Sequence, residues 1–497
     1  MLVAGAGRRL NDRDRIGSRK AFLQAALERV IERVILPLAI IAWLAAARFA
    51  VLIHIGVLDF DAFAATAVAQ DDTGGRRMIT HQNGACSWVL SGRTTALYAM
   101  NAVSGALGTM RHITCIEDLR QLAHRKVPRA FIDYAESGSY AEQTLHANRA
   151  DLERIAFRQR ILHDVAQRST KTTILGEPAA LPLALAPIGL CGMQHGDGEI
   201  LACRAAQAAG IPFTLSTMSI CSIEDVAGAV DKPFWFQLYV MKDRGYIRAL
   251  IERAAAAKCS ALVLTVDLQV IGQRHRDIKN GMTVPPEIRL HNLIDIATKP
   301  AWALSVARGK RKTFGNISGH YPGMSSVTVL SKWIAEQFDP TLSWKDVEWI
   351  RSLWPGKLIL KGILDVEDAR IAVKSGAAAL VVSNHGGRQL DGAPSSISAL
   401  PPIADAVGDD IEVMFDGGIR SGQDIARALA LGARSCMSGR AYVYGLGAAG
   451  EAGVARAIEI MRNELDITMA LIGVSRIADI NRGTIVDRPA RQPYEKV

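Results

Sequence analysis

No Cys-x-x-Cys pair occurs in the 497-residue chain, and its seven cysteines (Cys86, Cys115, Cys191, Cys203, Cys221, Cys259, Cys436) stand singly, most of them in apolar segments. That usage argues against a disulfide framework, a redox dithiol and a structural zinc site, and it fits a reducing, cytoplasmic setting. Aromatic residues make up only 6%, and no RNA-binding signature or long basic run accompanies the formal charge of +9, so no nucleic-acid partner is expected. The positive balance then reads as a solvated surface or as a preference for anionic substrates or lipid. A dinucleotide-binding fold is disfavoured as well. "APIGLCGMQHGDGE" (186–199) lacks GxGxxG, and the "GAG" at 5–7 follows no strand. No metal-ligating constellation is visible, and none is expected.

An unbroken apolar run of the ~20 residues that span a bilayer is also missing. Residues 34–47, "VILPLAIIAWLAAA", stop at Arg48 before "FAVLIHIGVL" resumes, so 34–58 could cross only if Arg48 and His54 were tolerated. Residues 71–110 show neither helical nor strand periodicity. Three readings compete for the extension 1–110: a membrane anchor, a poorly ordered extension, or codons upstream of the true start. Met110 stands just before the first well-patterned segment, which favours the last.

What is present begins at about 181. Short apolar runs alternate with helical segments: "LPLALAP" (181–187), "PFTLST" (212–217), "FWFQLYV" (234–240), "ALVLTVD" (261–267), "KLILKG" (357–362), "AALVVSN" (378–384), "IEVMFDGG" (411–418) and "SCMSGR" (435–440). Stretches such as "DVEDARIAVKSGA" and "SGQDIARALALGA" carry Ala, Ile and Leu at helical spacing and end near glycine. Eight strand-helix units imply parallel pairing and a closed α/β architecture, the (β/α)8 TIM barrel, over 111–497. One connection is far longer than the rest. About seventy residues follow Asp267, and within 274–316 nine Lys/Arg face three acids, a local +6 interleaved with apolar residues. This excursion either packs on its own barrel or docks on anionic lipid.

In such a barrel the carboxyl ends of the strands carry the chemistry. Here they hold Ser216, Gln237, Tyr239, Thr265, Asp267, Lys361, His385, Arg388, Asp416, Gly417, Gly418, Arg420, Gly439 and Arg440. Singly, each has an ordinary explanation; together they do not. Glycine-rich turns with Arg420 and Arg440 after the last two strands form a phosphate cradle. In "SNHGGRQLDG" (383–392), His385 can take a proton and Arg388 can hold a carboxylate in a two-pronged bond. Asp267 can orient His385, and Lys361 can sit where negative charge builds up. The set suits removal of a proton or hydride α to a carboxylate, with a phosphate-bearing electron acceptor.

"SNHGGRQLDG", "FDGGIRSG", "FWFQLYV", "TVD", "LKG" and "APIGLCG", six motifs in the right order along the chain, resemble the FMN-dependent L-2-hydroxy acid dehydrogenase/oxidase family, and the likeness runs from about 111 to near the C-terminus. Within it, "FIDYAESGSYAEQTL" and "SWKDVEWI" look like the bacterial respiratory L-lactate dehydrogenases. The resemblance implies FMN as cofactor, His385 as base paired with Asp267, and Arg388 and Arg274 on the substrate carboxylate with help from Tyr134 and Tyr239. It implies Lys361 beside the flavin N1–C2 carbonyl edge. FMN would be held by Pro187, Ile188, Gly189, Ser216, Gln237 and Thr265, with its phosphate on Asp416, Gly417, Gly418, Arg420, Gly439 and Arg440. Gly189 resembles the dehydrogenase branch, where oxidases tend to carry alanine, and Met218 implies an aliphatic, adaptable pocket. Lactate is the expected substrate, with glycolate, mandelate or a longer 2-hydroxy acid as alternatives. The resemblance also implies a quinone or cytochrome acceptor rather than oxygen and a homotetramer, while the basic 274–316 excursion and the apolar 34–58 run suggest a place at the inner face of the cell membrane. Another FMN barrel, such as a flavin-dependent isomerase, would keep the cradle without needing His385 and Arg388 together.

Overall fold

A computed structural model describes residues 112–282, 287, 289–318, 333 and 336–487. The expectations placed on residues 34–58 and on Met110 lie outside the described residues.

Each of the eight apolar runs contains a strand: β1 (Leu183–Leu185), β2 (Thr214–Ser216), β3 (Trp235–Tyr239), β4 (Ala261–Thr265), β5 (Lys357–Ile363), β6 (Ala379–Val382), β7 (Glu412–Asp416) and β8 (Ser435–Ser438). They form one parallel sheet in the order β1-β8-β7-β6-β5-β4-β3-β2. A parallel bridge between Leu185 and Phe213 joins the first strand to the approach to the second, with the Leu185 N–H donating to Pro212 O at 2.9 Å. The sheet thereby closes into the expected barrel.

Strand periodicity explains the two cores. Ala184, Val263, Ile359, Val381, Met414 and Met437 share an inner cluster with Ile174 and Leu175 of a hairpin that precedes the barrel. Their neighbours Leu183, Leu185, Leu262, Leu264, Leu358 and Leu360 belong to the outer cluster beneath the helices. Because successive side chains alternate across a strand, fully apolar runs fill both layers. The helices follow the sequence signals. The helix Val366–Lys374 is capped by Asp365, whose Oδ1 accepts from Glu367 N at 2.7 Å, and the helix Gly422–Ala430 by Ser421, whose Oγ accepts from Asp424 N at 3.1 Å.

Three helices precede the barrel: Ile116–Lys126, Arg129–Glu136 and Gln143–Arg154. Periodicity alone did not signal them. The last two lie against the strand-end loops, where Asn148 and Asn384 exchange amide hydrogen bonds of 2.8 Å each way.

Part of the long excursion after β4 packs as the first of its two expectations has it. Trp302 donates from Nε1 to Met193 O at 2.8 Å and stacks on Phe131, Asn316 Nδ2 reaches Ser216 O at 3.3 Å, and Ile317 is fully buried. That part packs on its own barrel. The helix Leu290–Ala297 instead has no buried residue, and Leu290 (74%) and Ile294 (59%) stay exposed one turn apart. No helix among the described residues is long and apolar enough to cross a membrane.

Candidate active site

The turn after β6 starts from strain. His385, Gly386 and Gly387 have φ of 58°, 66° and 74°, three consecutive left-handed residues. Glycine supplies two of them at no steric cost; a Cβ at Gly387 would lie 2.6 Å from Leu145 N. His385 bears the strained conformation as a side-chain residue, which is where functional strain concentrates. Its Nδ1 meets Asp267 Oδ1 at 2.9 Å, across 118 residues of chain. Gly362 at the end of β5 makes room for that carboxylate, since a Cβ there would lie 2.6 Å from Asp267 Cγ. Burial pushes the Asp267 carboxyl up, but the His385 and Lys361 charges outweigh it and hold it below its ordinary value. Asp267 Oδ2 has no hydrogen-bond partner among the described residues.

Two guanidiniums flank this pair. Arg274 donates from Nε to Asp277 Oδ2 at 2.6 Å, and Asp277 also accepts from Ser137 Oγ at 2.8 Å. Arg388 donates from one nitrogen to Tyr134 O at 2.5 Å and Ser137 O at 3.0 Å. No carboxylate among the described residues pairs with Arg388, and burial together with the Arg274 charge holds its guanidinium below its ordinary value. An anion bound here would relieve both. Arg388 lies 4.9 Å and Arg274 6.0 Å from the Tyr134 ring centre. Tyr239 stacks on His385 with 6.5 Å between ring centres. Burial, and then Asp267 and Tyr134, push its phenol up, so Tyr239 stays a protonated donor at neutral pH.

Lys361, with a side chain only 5% exposed, pairs with Asp416 Oδ2 at 2.7 Å. It also donates to Ser383 Oγ at 2.9 Å, while the Ser383 hydroxyl accepts from His385 N and donates to Asp416. The Asp416 carboxylate therefore faces a lysine. What it can offer a phosphate is backbone.

Pro187, Ile188, Gly189, Tyr134, Tyr239, Thr265, Arg274, Lys361, His385, Arg388, Asp416, Gly417, Gly418, Arg420, Gly439 and Arg440 all line one cavity at the carboxyl end of the barrel. Asp267 stands behind His385. Ser216 and Gln237 lie beneath the wall, where Ser216 Oγ donates to Gln237 Oε1 at 3.1 Å.

A flavin mononucleotide fits the groups left unanswered. Gln237 Nε2 and Thr265 Oγ1 are buried polar atoms without partners among the described residues, and such atoms are costly unless a ligand satisfies them. Arg420 and Arg440 join no ion pair among the described residues. Arg440 donates to Ala135 O, Gly386 O and Ser137 O at 2.9 to 3.1 Å. Burial and the neighbouring Arg420 and Arg388 charges push its guanidinium down to about 9, the signature of cations assembled for a missing anion. Behind Gly417 and Gly418 begins the helix Gly422–Ala430, whose N-terminal dipole adds to the attraction.

Sequence reasoning left several wall residues unassigned. Leu268, Ile271, Met282, Phe314 and Phe338, all from the excursion or its flanks, form an apolar mouth. Ser383 and Gln389 sit inside the very stretch that drew attention, and only their neighbours' positions reveal their bonds. Asp277 could have been suspected from its spacing of three after Arg274.

Fold and site together define an FMN-binding (β/α)8 oxidoreductase. A family model described as FMN-dependent dehydrogenase matches residues 123–487. An L-lactate dehydrogenase of Haemophilus influenzae (strain PittEE) is 51% identical over 377 residues, covering 76% of this chain and 98% of the relative. An L-lactate dehydrogenase of Stenotrophomonas maltophilia (strain R551-3) is 48% identical over 378 residues, covering 76% of this chain and all of the relative. Among solved structures, a monotopic membrane protein, (S)-mandelate dehydrogenase, superposes with a TM-score of 0.72 at 36% identity, over 76% of this chain and all of that one. A mandelate oxidase reaches 0.63 at 37% identity, over 74% of this chain and 96% of that one. The chain belongs to the FMN-dependent dehydrogenase family, and its cofactor is FMN.

Proposed function

We propose that the protein oxidises an L-2-hydroxy acid, L-lactate to pyruvate foremost, and passes the electrons to a quinone or cytochrome. The observation that carries this reading is the His385–Asp267 pair sharing one cavity with the guanidiniums of Arg274 and Arg388. The relatives named L-lactate dehydrogenase, near 50% identity over almost their full length, support lactate.

FMN, when bound, supplies the two-electron acceptor. The chain does the rest. Arg388 and Arg274 bind the substrate carboxylate, and Tyr134 and Tyr239 hydrogen-bond to it and to the hydroxyl. His385 accepts one proton, from the hydroxyl if the α-hydrogen leaves as hydride, or from the α-carbon otherwise. Asp267 stabilises the imidazolium so formed, because a carboxylate beside a developing cation favours the charged state. Lys361 would supply positive charge to the bound flavin where negative charge builds up on reduction. Pro187, Ile188, Gly189, Ser216, Gln237 and Thr265 hold the ring and ribityl chain. The Gly417–Gly418 backbone, Arg420, Gly439 and Arg440 hold the phosphate.

The first test is anaerobic addition of L-lactate to the yellow holoenzyme. Rapid bleaching, followed by slow reoxidation in air and fast reoxidation by a quinone, is the expected result. A flavin indifferent to every 2-hydroxy acid would refute the assignment of His385 and Arg388. Fast reoxidation in air would move the protein to the oxidase alternative, where glycolate, mandelate or a longer acid competes with lactate as substrate.

The excursion supports docking at the inner face of an anionic membrane. Leu290 and Ile294 are exposed on a helix that follows Arg289, with Val270 and Ile271 exposed nearby in sequence. Flotation of the full chain with vesicles containing anionic lipid should be lost in the Ile294→Asp, Leu290→Asp double variant. Equal flotation of both proteins would remove the helix from the membrane. A homotetramer is the expected assembly, read directly by sedimentation.

A further inference from the structure

The base with its carboxylate partner and the two clamping guanidiniums come from two loops. Asp267 and Arg274 follow β4, whereas His385 and Arg388 follow β6. A side chain with no role so far staples one loop to the other. Gln389 Nε2 donates to Asp267 O at 2.7 Å and to Val270 O at 2.9 Å, and its Oε1 accepts from Gly272 N at 3.1 Å. Beside the staple the two backbones touch. A Cβ at Gly272 would lie 2.5 Å from Arg388 O and 2.9 Å from Gln389 Cα. The segment ahead of the barrel completes the seam, with Ser139 N donating to Gly387 O at 2.8 Å and Tyr140 N to Gln273 O at 2.9 Å.

We infer that Gln389 is a positioning residue, which sets the register of Asp267 and Arg274 against His385 and Arg388 by bonding the backbone of 267–272. The inference rests on the proposed oxidation of a 2-hydroxy acid. Its physical basis is the shape of the amide. Both carbonyls face the donor end and the one N–H faces the acceptor end, so a single planar group satisfies three backbone atoms of one loop. That geometry can be inverted without changing size. In Gln389→Glu a carboxylate oxygen would oppose both carbonyls, and the loop must move away. A displacement of about 1 Å between base and clamp costs roughly 100-fold in rate when reacting atoms must be aligned.

The test compares wild-type holoenzyme with Gln389→Glu and, from the opposite side of the seam, Gly272→Ala, whose methyl would press on Arg388 O. FMN content, kcat and KM for L-lactate, the isotope effect with 2-deuterated L-lactate, and the Kd of oxalate read from the flavin spectrum are measured for each. Both variants are expected to keep their FMN, to lose roughly 100-fold in kcat/KM, to bind oxalate about 10-fold more weakly, and to show a larger isotope effect. Values of kcat/KM and oxalate Kd within about twofold of wild type, whatever the melting temperature, would reduce Gln389 to a structural tie. Loss of FMN from the variants would equally overturn the inference, because the glycine turns and arginines proposed to hold its phosphate follow β7 and β8, not the seam. A wild-type enzyme that no 2-hydroxy acid reduces would overturn the parent reading, and this inference with it, before any variant is made.

Discussion

Asp267→Asn removes a charge while leaving a shape. The asparagine Oδ1 can still accept from His385 Nδ1, 2.9 Å away in the native pair, and its NH2 replaces an oxygen that has no hydrogen-bond partner among the described residues. What disappears is the stabilisation of a protonated His385 during substrate oxidation. With charge centres about 4 Å apart and an effective dielectric near 20, that attraction is about 4 kcal/mol. At 1.4 kcal/mol per decade, flavin reduction by L-lactate should slow by roughly 1,000-fold. Anaerobic stopped-flow at the flavin absorbance reads the rate directly. A variant that keeps its FMN and reduces within about tenfold of wild type would show that His385 works without its carboxylate. The pH dependence adds a second check. The His385 and Lys361 charges outweigh burial and hold the Asp267 carboxyl below its ordinary value, which is about 4. A carboxyl lowered on folding contributes its full stabilisation above the unfolded value and loses it as pH falls through the lower, folded one. The stability advantage that wild type draws from this carboxylate should therefore shrink as pH falls through and below ~4.

Arg388→Lys exchanges a planar fork, which binds Tyr134 O and Ser137 O, for one ammonium that cannot also grip a carboxylate bidentately; KM for L-lactate should rise roughly 10- to 100-fold with FMN retained. An unchanged KM would place the substrate carboxylate elsewhere. Gly189→Ala puts a methyl 3.2 Å from both Met218 Cβ and the Tyr134 hydroxyl, so about 1–3 kcal/mol of crowding should appear as slower turnover, measured by steady-state kcat; normal turnover would mean that the wall yields freely. Asn148→Ala strips Asn384 of a reciprocal amide and leaves Ser396 N without its 3.0 Å acceptor. It should lower stability by about 2–3 kcal/mol in urea unfolding, and a loss under about 0.5 kcal/mol would show that the helix Gln143–Arg154 finds other anchors.

The sequence by itself determined the barrel. Runs such as "ALVLTVD" and "AALVVSN" are apolar on both faces, which only strands buried on both sides require, and polar residues gather at their carboxyl ends. It also marked His385, Arg388 and the glycine turns near Arg420 and Arg440, because catalytic groups on a barrel sit at predictable ends of locally recognisable strands. The partnerships were decided only by tertiary structure. Asp267 meets His385 across 118 residues, Asp416 turns its carboxylate to Lys361 rather than toward an anion, and Tyr134 reaches the cavity from a helix that precedes the barrel. Gln389 stood in plain view in "SNHGGRQLDG", yet its three bonds run to backbone more than a hundred residues away. Propensity and periodicity act over a few residues. Closing an eight-stranded sheet brings distant loops within hydrogen-bond reach, and no local pattern encodes which of their atoms will meet.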